Sequence, residues 1–410
     1  MKRILFYFLF FTASYSFSQT DSGDIEAYLQ SLITNMPGDS GNDYTAPTNA
    51  NLTTWENAIS AILSDDLTTA RIEASAINYE IIEFTNTSLS PNKLFYILKE
   101  KTTQTNYWGT YIFSKNPDRN QLVIQSPHAA YDFNTGKEGI YILKRLNAKA
   151  LFLNGTHRCN HETASTCDGT TSVCSGSSEA FKISDMAHNT NTVFQKTTEI
   201  LFNSIANSVF IQLHGFTKKD TDPYVILSNG TNITPTTDYA AMLKTELLAT
   251  DNTLTFKIAH IDTDWDRLRG FTNTQGRFIN GSPNPCNTSA TATTGRFIHV
   301  EQEKTKLRQE SAGWDKMNVA LSNVFTKALS IDEFSKQVFL TSKNPFKNHI
   351  SLKANNMVKV EILNTLGKTI YKKNTTLNNV KINTKNFSTG VYFLKVYTKE
   401  NSYTKKLIRE

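Results

Sequence analysis

Residues 121–132 read QLVIQSPHAAYD, an apolar run that leads into a proline, a histidine and an aspartate. Short apolar runs bounded by turn residues are typical of strands buried in a parallel sheet. A second run, 209–213, leads into His214 and Gly215. Side chains at the carboxyl ends of neighbouring parallel strands meet at one edge of the sheet. The two stretches therefore predict that His128, Asp132 and His214 lie together.

Apolar runs alternate with amphipathic segments through the centre of the chain. Strands are expected at 149–153, 254–260 and 297–300, and helices near 137–147, 192–206 and 238–249. This alternation predicts an α/β domain over residues 116–330, with a mixed, largely parallel sheet flanked by helices. Residues 19–115 show helical spacing and three β-rich runs, so they are expected to form an N-terminal helical and β extension.

The two ends of the chain carry signals of their own. Residues 1–18 combine a basic start, a short apolar run and small residues, which predicts a secretory signal peptide. Because that run is too short to span a bilayer, no transmembrane helix is expected in the mature chain. Residues 337–410 carry 14 Lys and Arg against 3 Glu, so this part has a charge of +11 within a chain of net +6. Period-two alternation in residues 338–410 predicts a small β-sandwich and argues against nucleic-acid binding.

The last 73 residues contain several motifs in the order of a known family. The motifs are NPF at 344–346, VEILNTLGK at 360–368, STGVYFLKV at 388–396 and KKLI at 405–408. Residues 338–410 resemble the type A C-terminal sorting domain of the Bacteroidetes type IX secretion system. The resemblance implies binding to the type IX secretion machinery, and a secreted or outer-surface location that is reached through the periplasm. A carbohydrate-binding or adhesion sandwich is the alternative.

Export permits disulfides, and the chain has four cysteines. Cys159, Cys167 and Cys174 lie in one loop rich in Gly, Ser and Thr, whereas Cys286 lies much further along. Four cysteines allow three pairings, and we expect one bridge within the loop and one to Cys286. A zinc knuckle is the alternative, but the spacing lacks the CxxC pairs that mark such sites.

Two imidazoles and one carboxylate form the ligand set of an open zinc site, which keeps one coordination position for water. His128, Asp132 and His214 are therefore the expected ligands of a Zn²⁺ cofactor. His188, in a D-x-x-H-N cluster, and Glu138 are reserve ligands. The ordinary alternative is that each histidine is a structural or surface residue.

An acidic residue at the end of an apolar strand can act as a general base on a zinc-activated water. Glu301 is the expected base, and Glu303 is the alternative because it shares the same face of the strand. Polar loops after other strands are expected to form a rim that reads the substrate. Arg158 is the expected catalytic arginine, and the expected substrate-binding residues are Arg277, Asn273, Asn160 and Arg308.

The order of these motifs over residues 115–310 is similar to that of a zinc-hydrolase group. This group contains N-formylglutamate amidohydrolases and poly-γ-glutamate hydrolases, which are related in fold to zinc carboxypeptidases. The resemblance implies the three metal ligands and the Glu301 base named above, with Arg158 or Arg277 holding an oxyanion or a substrate carboxylate. Some relatives have glutamate where this chain has Asp132, so the carboxylate ligand stays open between Asp132 and Glu138.

Two functions follow from these observations. The first is a secreted, zinc-dependent hydrolase that cleaves amide bonds of peptide, N-acyl amino acid or γ-glutamyl type in substrates with a free carboxylate. The second is a non-catalytic cell-surface binding protein, in which the histidines are structural and the polar loops form the contact surface. The two differ in whether the donor atoms of His128, Asp132 and His214 converge on one point.

Overall fold

The structure is a computed structural model that describes residues 19–327, 338–340, 342–398 and 402–410. The predicted signal peptide, residues 1–18, lies outside the described residues. The chain divides into two compact units, 1–327 and 328–410. The first unit has two hydrophobic cores, and the second unit has one.

A ten-stranded mixed sheet forms the centre of the first unit. The strands in chain order are β1 (Thr20–Gly23), β2 (Tyr79–Asn86), β3 (Lys93–Glu100), β4 (Thr110–Ser114), β5 (Arg119–Ser126), β6 (Ala148–Leu153), β7 (Thr170–Thr171), β8 (Glu179–Ala180), β9 (Val209–Phe216), β10 (Val225–Ser228), β11 (Phe256–Ile258) and β12 (Phe297–Glu303). The sheet order is β1-β2-β3-β4-β6-β5-β9-β12-β10-β11, and β7 and β8 form a separate pair. The four neighbours β6, β5, β9 and β12 run parallel to one another, so their carboxyl ends lie at one edge.

Helices cover both faces of this sheet. They are α1 (Ile25–Ile33), α2 (Asn49–Leu63), α3 (Leu67–Ala76), α4 (Thr135–Leu146), α5 (Val193–Ser204), α6 (Tyr239–Thr250), α7 (Thr274–Ile279), a π-helix (Lys304–Arg308) and α8 (Ser311–Val324). Apolar residues of α1, α4, α6 and α8 join one core, and those of α2, α3, α5 and α7 join the other. The predicted α/β architecture is confirmed. None of the described helices has the length and apolar character that crossing a membrane requires.

Residues 19–115 enlarge the same sheet. The strands β1 to β4 continue the sheet from β6 outward. On the second face, the indole nitrogen of Trp55 in α2 donates to Thr197 in α5 at 2.8 Å. The Trp55 ring also packs edge-on against Tyr79 and Tyr111. The expected extension is therefore joined to the central strands by backbone pairing and by a shared aromatic core.

The second unit is a small antiparallel sandwich, as predicted. One sheet contains β13 (Val338–Leu340), β14 (His349–Ala354) and β17 (Asn379–Asn383); the other contains β15 (Met357–Asn364), β16 (Thr369–Asn374), β18 (Gly390–Thr398) and β19 (Ser402–Arg409). Alternate residues of both sheets, among them Ile350, Ile382, Val360 and Leu394, are buried in one core.

Candidate metal site

The predicted site residues gather at the carboxyl ends of β5, β9 and β12. In the register of the parallel pair, His214 lies beside Glu301 and Gln212 lies beside His299. Successive strand residues alternate between faces, so these four side chains share one face. That face is covered by α5 and α7, because Phe210 and Phe297 of the same alternation join the core of those helices. The sheet register alone therefore brings two histidines and a carboxylate together.

Two imidazole nitrogens converge on the carboxylate of Asp132. Nδ1 of His128 lies 3.0 Å from Oδ2 of Asp132, and Nδ1 of His214 lies 3.3 Å from the same oxygen. All three side chains are buried, and their donor atoms lie within 4.8 Å of one another. Donors bound tetrahedrally to zinc at ~2.0–2.1 Å are ~3.3 Å apart. The two nitrogen–oxygen separations, 3.0 and 3.3 Å, are therefore close to those between ligands of one zinc ion.

The outer nitrogen of His214 fixes the position of its proton. Nε2 of His214 lies 2.8 Å from Oε1 of Gln212. The amide nitrogen of Gln212 donates to Gln125 and Gln275 at 3.0 Å each, so Oε1 is the acceptor in this contact. Nε2 of His214 therefore donates, and its Nδ1 presents a lone pair to the carboxylate of Asp132. Two such electron-rich atoms repel unless a cation or a proton lies between them, so this donor set fits a metal ion.

His128 is held from its outer side by a second carboxylate. Nε2 of His128 lies 3.1 Å from Oδ1 of Asp185, which also accepts from the amide of Ala187. Burial and Arg158 lower the pKa of His128, but the charges of Asp132 and Asp185 outweigh them and raise it. A metal-binding histidine commonly donates its other N–H to a carboxylate in this way.

The charge states of Asp132 and His214 match those that metal binding requires, whereas the raised pKa of His128 means that a metal ion would displace a proton from this ring. Burial alone would raise the pKa of Asp132, but Arg158, which donates to its Oδ1, and His128 hold that pKa well below its usual range. Burial lowers the pKa of His214 to about 4 and also holds that of His299 well below its usual range. Asp132 is thus ionised and His214 is neutral near pH 7, as in metal-bound groups.

Glu301 lies beside this ligand set and belongs to a second buried group with His214 and His299. Nε2 of His299 is 3.6 Å from Oε1 of Glu301. Oε2 of Glu301 has no hydrogen-bond partner in the part of the chain that the structure describes. Burial, together with the charge of Asp132, raises the pKa of Glu301 to about 8. In contrast, both carboxylate oxygens of Glu303 accept backbone N–H groups of the π-helix, at 2.7 and 2.8 Å.

The two reserve ligands lie outside the three-donor set. His188 stacks on Phe181 with ring centroids 3.7 Å apart, and its Nδ1 lies 3.2 Å from Asp185. Glu138 lies on the opposite face of β12, where it accepts from the amide of Gln302 at 2.8 Å. His188 therefore contacts the carboxylate that supports His128, and Glu138 packs beneath the sheet.

Two arginines expected to bind substrate have their nitrogens engaged by the protein. Arg277 is buried and pairs with Asp168, while its Nε and Nη1 donate to the carbonyl oxygens of Phe271 and Cys286. Arg308 donates to the carbonyl oxygens of residues 302, 132, 133 and 216. Both guanidinium groups therefore hold parts of the fold together, and substrate binding by Arg277 or Arg308 stays a prediction.

The two asparagines also make structural contacts. Asn273 accepts from the amide of Gly276 at the start of α7, and its side-chain nitrogen donates to Gln212. Asn160 donates to the carbonyl oxygens of Gly38 and Ser40, so it holds the loop that precedes α2. A substrate-reading role for either asparagine has no support in these contacts.

Three residues of the site were not assigned from the sequence. Gln212 and His299 each lie two positions before a predicted site residue on the same strand, and this spacing was the available signal. Asp185 opens the D-x-x-H-N cluster, of which only His188 is a predicted ligand. The predicted disulfides are confirmed, because Cys159 pairs with Cys174, and Cys167 pairs with Cys286.

The C-terminal unit has a clear family match. Residues 344–410 match the model described as a secretion system C-terminal sorting domain. These residues are a sorting domain. The domain indicates type IX export to the cell surface or the medium, as predicted. No curated protein sequence matches the chain.

Three solved structures are similar to parts of this chain, each at low sequence identity. PorZ, a surface component of the type IX secretion system of Porphyromonas gingivalis, is 18% identical over 20% of this chain and 13% of its own, with a TM-score of 0.17. An N-formylglutamate amidohydrolase from Ralstonia eutropha is 10% identical over 53% of this chain and 96% of its own, with a TM-score of 0.34. An endo-β-1,4-mannanase from Thermotoga petrophila is 9% identical over 53% of this chain and 40% of its own, with a TM-score of 0.14. The amidohydrolase belongs to the group that the sequence motifs resemble, but likenesses this distant say nothing about function.

Proposed function

We propose that this protein is an exported, zinc-dependent hydrolase that cleaves amide bonds. The observation that carries the proposal is that two imidazole nitrogens, one each from His128 and His214, lie 3.0 and 3.3 Å from one ionised carboxylate oxygen at a buried point. The outer atoms of the two imidazoles are held by Asp185 and Gln212. Such a donor set is stable only around a cation or a shared proton.

In this proposal His128, Asp132 and His214 hold the zinc ion, which when bound supplies a Lewis acid for amide hydrolysis. With a cation bound beside Glu301, the pKa of this side chain would fall from about 8, so that Oε2 of the ionised carboxylate would accept a proton from the attacking water and return it to the leaving amine. Arg158 keeps Asp132 ionised and turns its second oxygen towards the imidazoles. The catalytic role of Arg158 is then to hold a ligand.

The proposed substrates are amides of peptide, N-acyl amino acid or γ-glutamyl type with a free carboxylate. Since Arg277 and Arg308 are engaged, Arg269 is the better candidate to hold that carboxylate. It is partly exposed and lies over the Phe271 ring at 4.5 Å, and no described carboxylate forms an ion pair with it. The adjacent Gly270 packs so closely on the His299 ring that a Cβ there would lie 2.8 Å from it. Arg269 is therefore one residue away from the wall of the site.

The test is metal analysis of the purified full chain and of matched variants. We expect stoichiometric zinc in the wild type and none in His128→Ala or His214→Ala. His349→Ala is the control, because His349 is an exposed histidine in the sorting domain. Wild-type protein without stoichiometric metal, or zinc retained by both site variants, would contradict the proposal and leave the non-catalytic binding protein as the better reading.

Activity is tested separately, with and without a chelator, on a panel of peptide, N-acyl and γ-glutamyl amides. Glu301→Gln is expected to keep its zinc and to lose about 10²- to 10⁴-fold in rate, because the general base is removed. Glu303→Gln is the control, since that side chain caps the π-helix. Equal losses in the two variants would remove the distinction between Glu301 and Glu303.

A further inference from the structure

A lobe of 26 residues, 159–184, connects β6 to α5 and is bounded by two residues that support the candidate metal ligands. Arg158 precedes the lobe and donates to Asp132. Asp185 follows the lobe and contacts His128. The only strands inside the lobe are the two-residue strands β7 and β8. The positions of both supporting residues therefore depend on an element with little regular structure.

The two ends of the lobe are fastened to each other. The hydroxyl of Ser184 donates to the carbonyl oxygen of Arg158 at 2.8 Å, and the amide of His161 donates to the same hydroxyl at 3.2 Å. The disulfide between Cys159 and Cys174 folds the outer part of the lobe back onto the residue next to Arg158. A covalent closure of this kind restricts the open forms of a loop.

The second disulfide has a different position. Cys167 is bonded to Cys286, which lies outside the lobe. The same connection is also made by non-covalent contacts, because the amide of Asp168 donates to the carbonyl oxygen of Cys286 and its carboxylate pairs with Arg277. We expect these contacts to remain when the second disulfide is lost, because none of them is made by a cysteine side chain.

We propose that the disulfide between Cys159 and Cys174 positions Arg158 against Asp132, so that the candidate metal site is complete only after this bond has formed. The inference rests on the metal site of the proposed function. In forming the bond, two thiols lose two electrons and two protons to the disulfide of a thiol oxidant, whose sulfurs become thiols. Such oxidants act outside the reducing cytoplasm, which this protein leaves by export. Zinc binding is thereby coupled to export.

The test measures zinc affinity of the full chain by competition with a chromophoric chelator. Cys159→Ser/Cys174→Ser is expected to bind zinc about 10- to 100-fold more weakly than the wild type, the range typical of lost outer contacts to metal ligands. Cys167→Ser/Cys286→Ser is the matched control, with the same number of sulfurs removed and an affinity near that of the wild type. Equal weakening in both variants would show general loosening and would overturn the inference.

A double-mutant cycle tests the route through Arg158. Arg158→Gln should weaken zinc binding by itself, and removal of the Cys159–Cys174 bond in that background should cost no more than about twofold, the usual precision of additive effects. If the losses of zinc affinity from the two changes multiply instead, the disulfide acts independently of Arg158, which contradicts the proposal.

These experiments distinguish failure of the proposed function from failure of the disulfide inference. Wild-type protein that binds no zinc would defeat the proposed function itself, whereas a serine variant that binds as tightly as the wild type would defeat only the disulfide inference. If the variant does not fold, the folded Cys167→Ser/Cys286→Ser protein, which keeps only the Cys159–Cys174 bond, is reduced with a phosphine, its two thiols are alkylated, and its zinc affinity is measured again. Unfolding on reduction as well would show that the bond maintains the fold, and would also count against a positioning role.

Discussion

Glu138 gives a pH dependence of stability that can be worked out from its surroundings. This side chain has no solvent exposure, lies on α4, and accepts one hydrogen bond from Gln302 at 2.8 Å. Burial raises the pKa of Glu138 from 4.5 to about 8. The folded protein therefore keeps this proton up to about pH 8, whereas the unfolded chain releases it near pH 4.5.

The direction of this pH dependence follows from the number of protons that the folded and unfolded states bind. Below pH 4.5 both states carry the proton, and Glu138 adds no pH dependence. Between pH 4.5 and 8 the folded state binds more protons, so the free energy of unfolding falls as the pH rises, by at most ~1.4 kcal/mol per pH unit. Over the full window of about 3.5 pH units, the free energy of unfolding falls by at most ~5 kcal/mol. Relaxation of the structure around the ionised Glu138 makes the fall smaller.

Glu138→Gln removes the titrating group and keeps nearly the same shape. We expect the variant to match the wild type near pH 4.5 and to exceed its free energy of unfolding by ~1–3 kcal/mol at pH 8. Urea unfolding of the first unit is followed by tryptophan fluorescence, because all four tryptophans lie in that unit. A chelator is present throughout. Glu56→Gln, an exposed position on α2, is the control. Parallel stability curves for Glu138→Gln and the wild type across this pH range would refute the reasoning.

Three further predictions test neighbouring parts of the structure. Asp185→Asn should weaken zinc binding about 10- to 100-fold in chelator competition, because Nε2 of His128 loses its carboxylate, and unchanged affinity would contradict this role. Gly270→Ala should lower the free energy of unfolding by ~1–3 kcal/mol in urea, because φ is +65° and the new Cβ would lie 2.8 Å from His299; a neutral effect would show that this packing yields. Arg308→Met should cost ~2–4 kcal/mol in the same assay, because it leaves buried carbonyl oxygens without donors, and a smaller loss would show that water replaces the guanidinium.

The central strands could be predicted because a strand that is buried on both faces has a continuous apolar run in its sequence. Residues 121–125 and 209–213 carry that pattern, and the structure places them side by side in β5 and β9. The edge of the sheet could not be predicted in this way. The four residues of β1, Thr-Asp-Ser-Gly, are largely exposed, and they form a strand only because they pair in parallel with β2, some sixty residues away. Pairing of this kind depends on a partner that local sequence does not specify.

The same distinction between local sequence patterns and non-local contacts applies to the candidate site. His128 and Asp132 follow the buried strand β5, and His214 lies near the end of its parallel neighbour β9, so the pairing of these strands brings them together and the apolar runs predict it. The partner of a guanidinium depends instead on which loops meet in space, and local sequence does not specify that Arg277 pairs with Asp168 of the cysteine-rich loop. The outer contacts are equally non-local, yet they decide the chemistry. Without the orientation that its neighbours impose on Gln212, nothing would place the lone pair of His214 towards Asp132, and the three side chains would be a hydrogen-bonded cluster rather than a site for a cation.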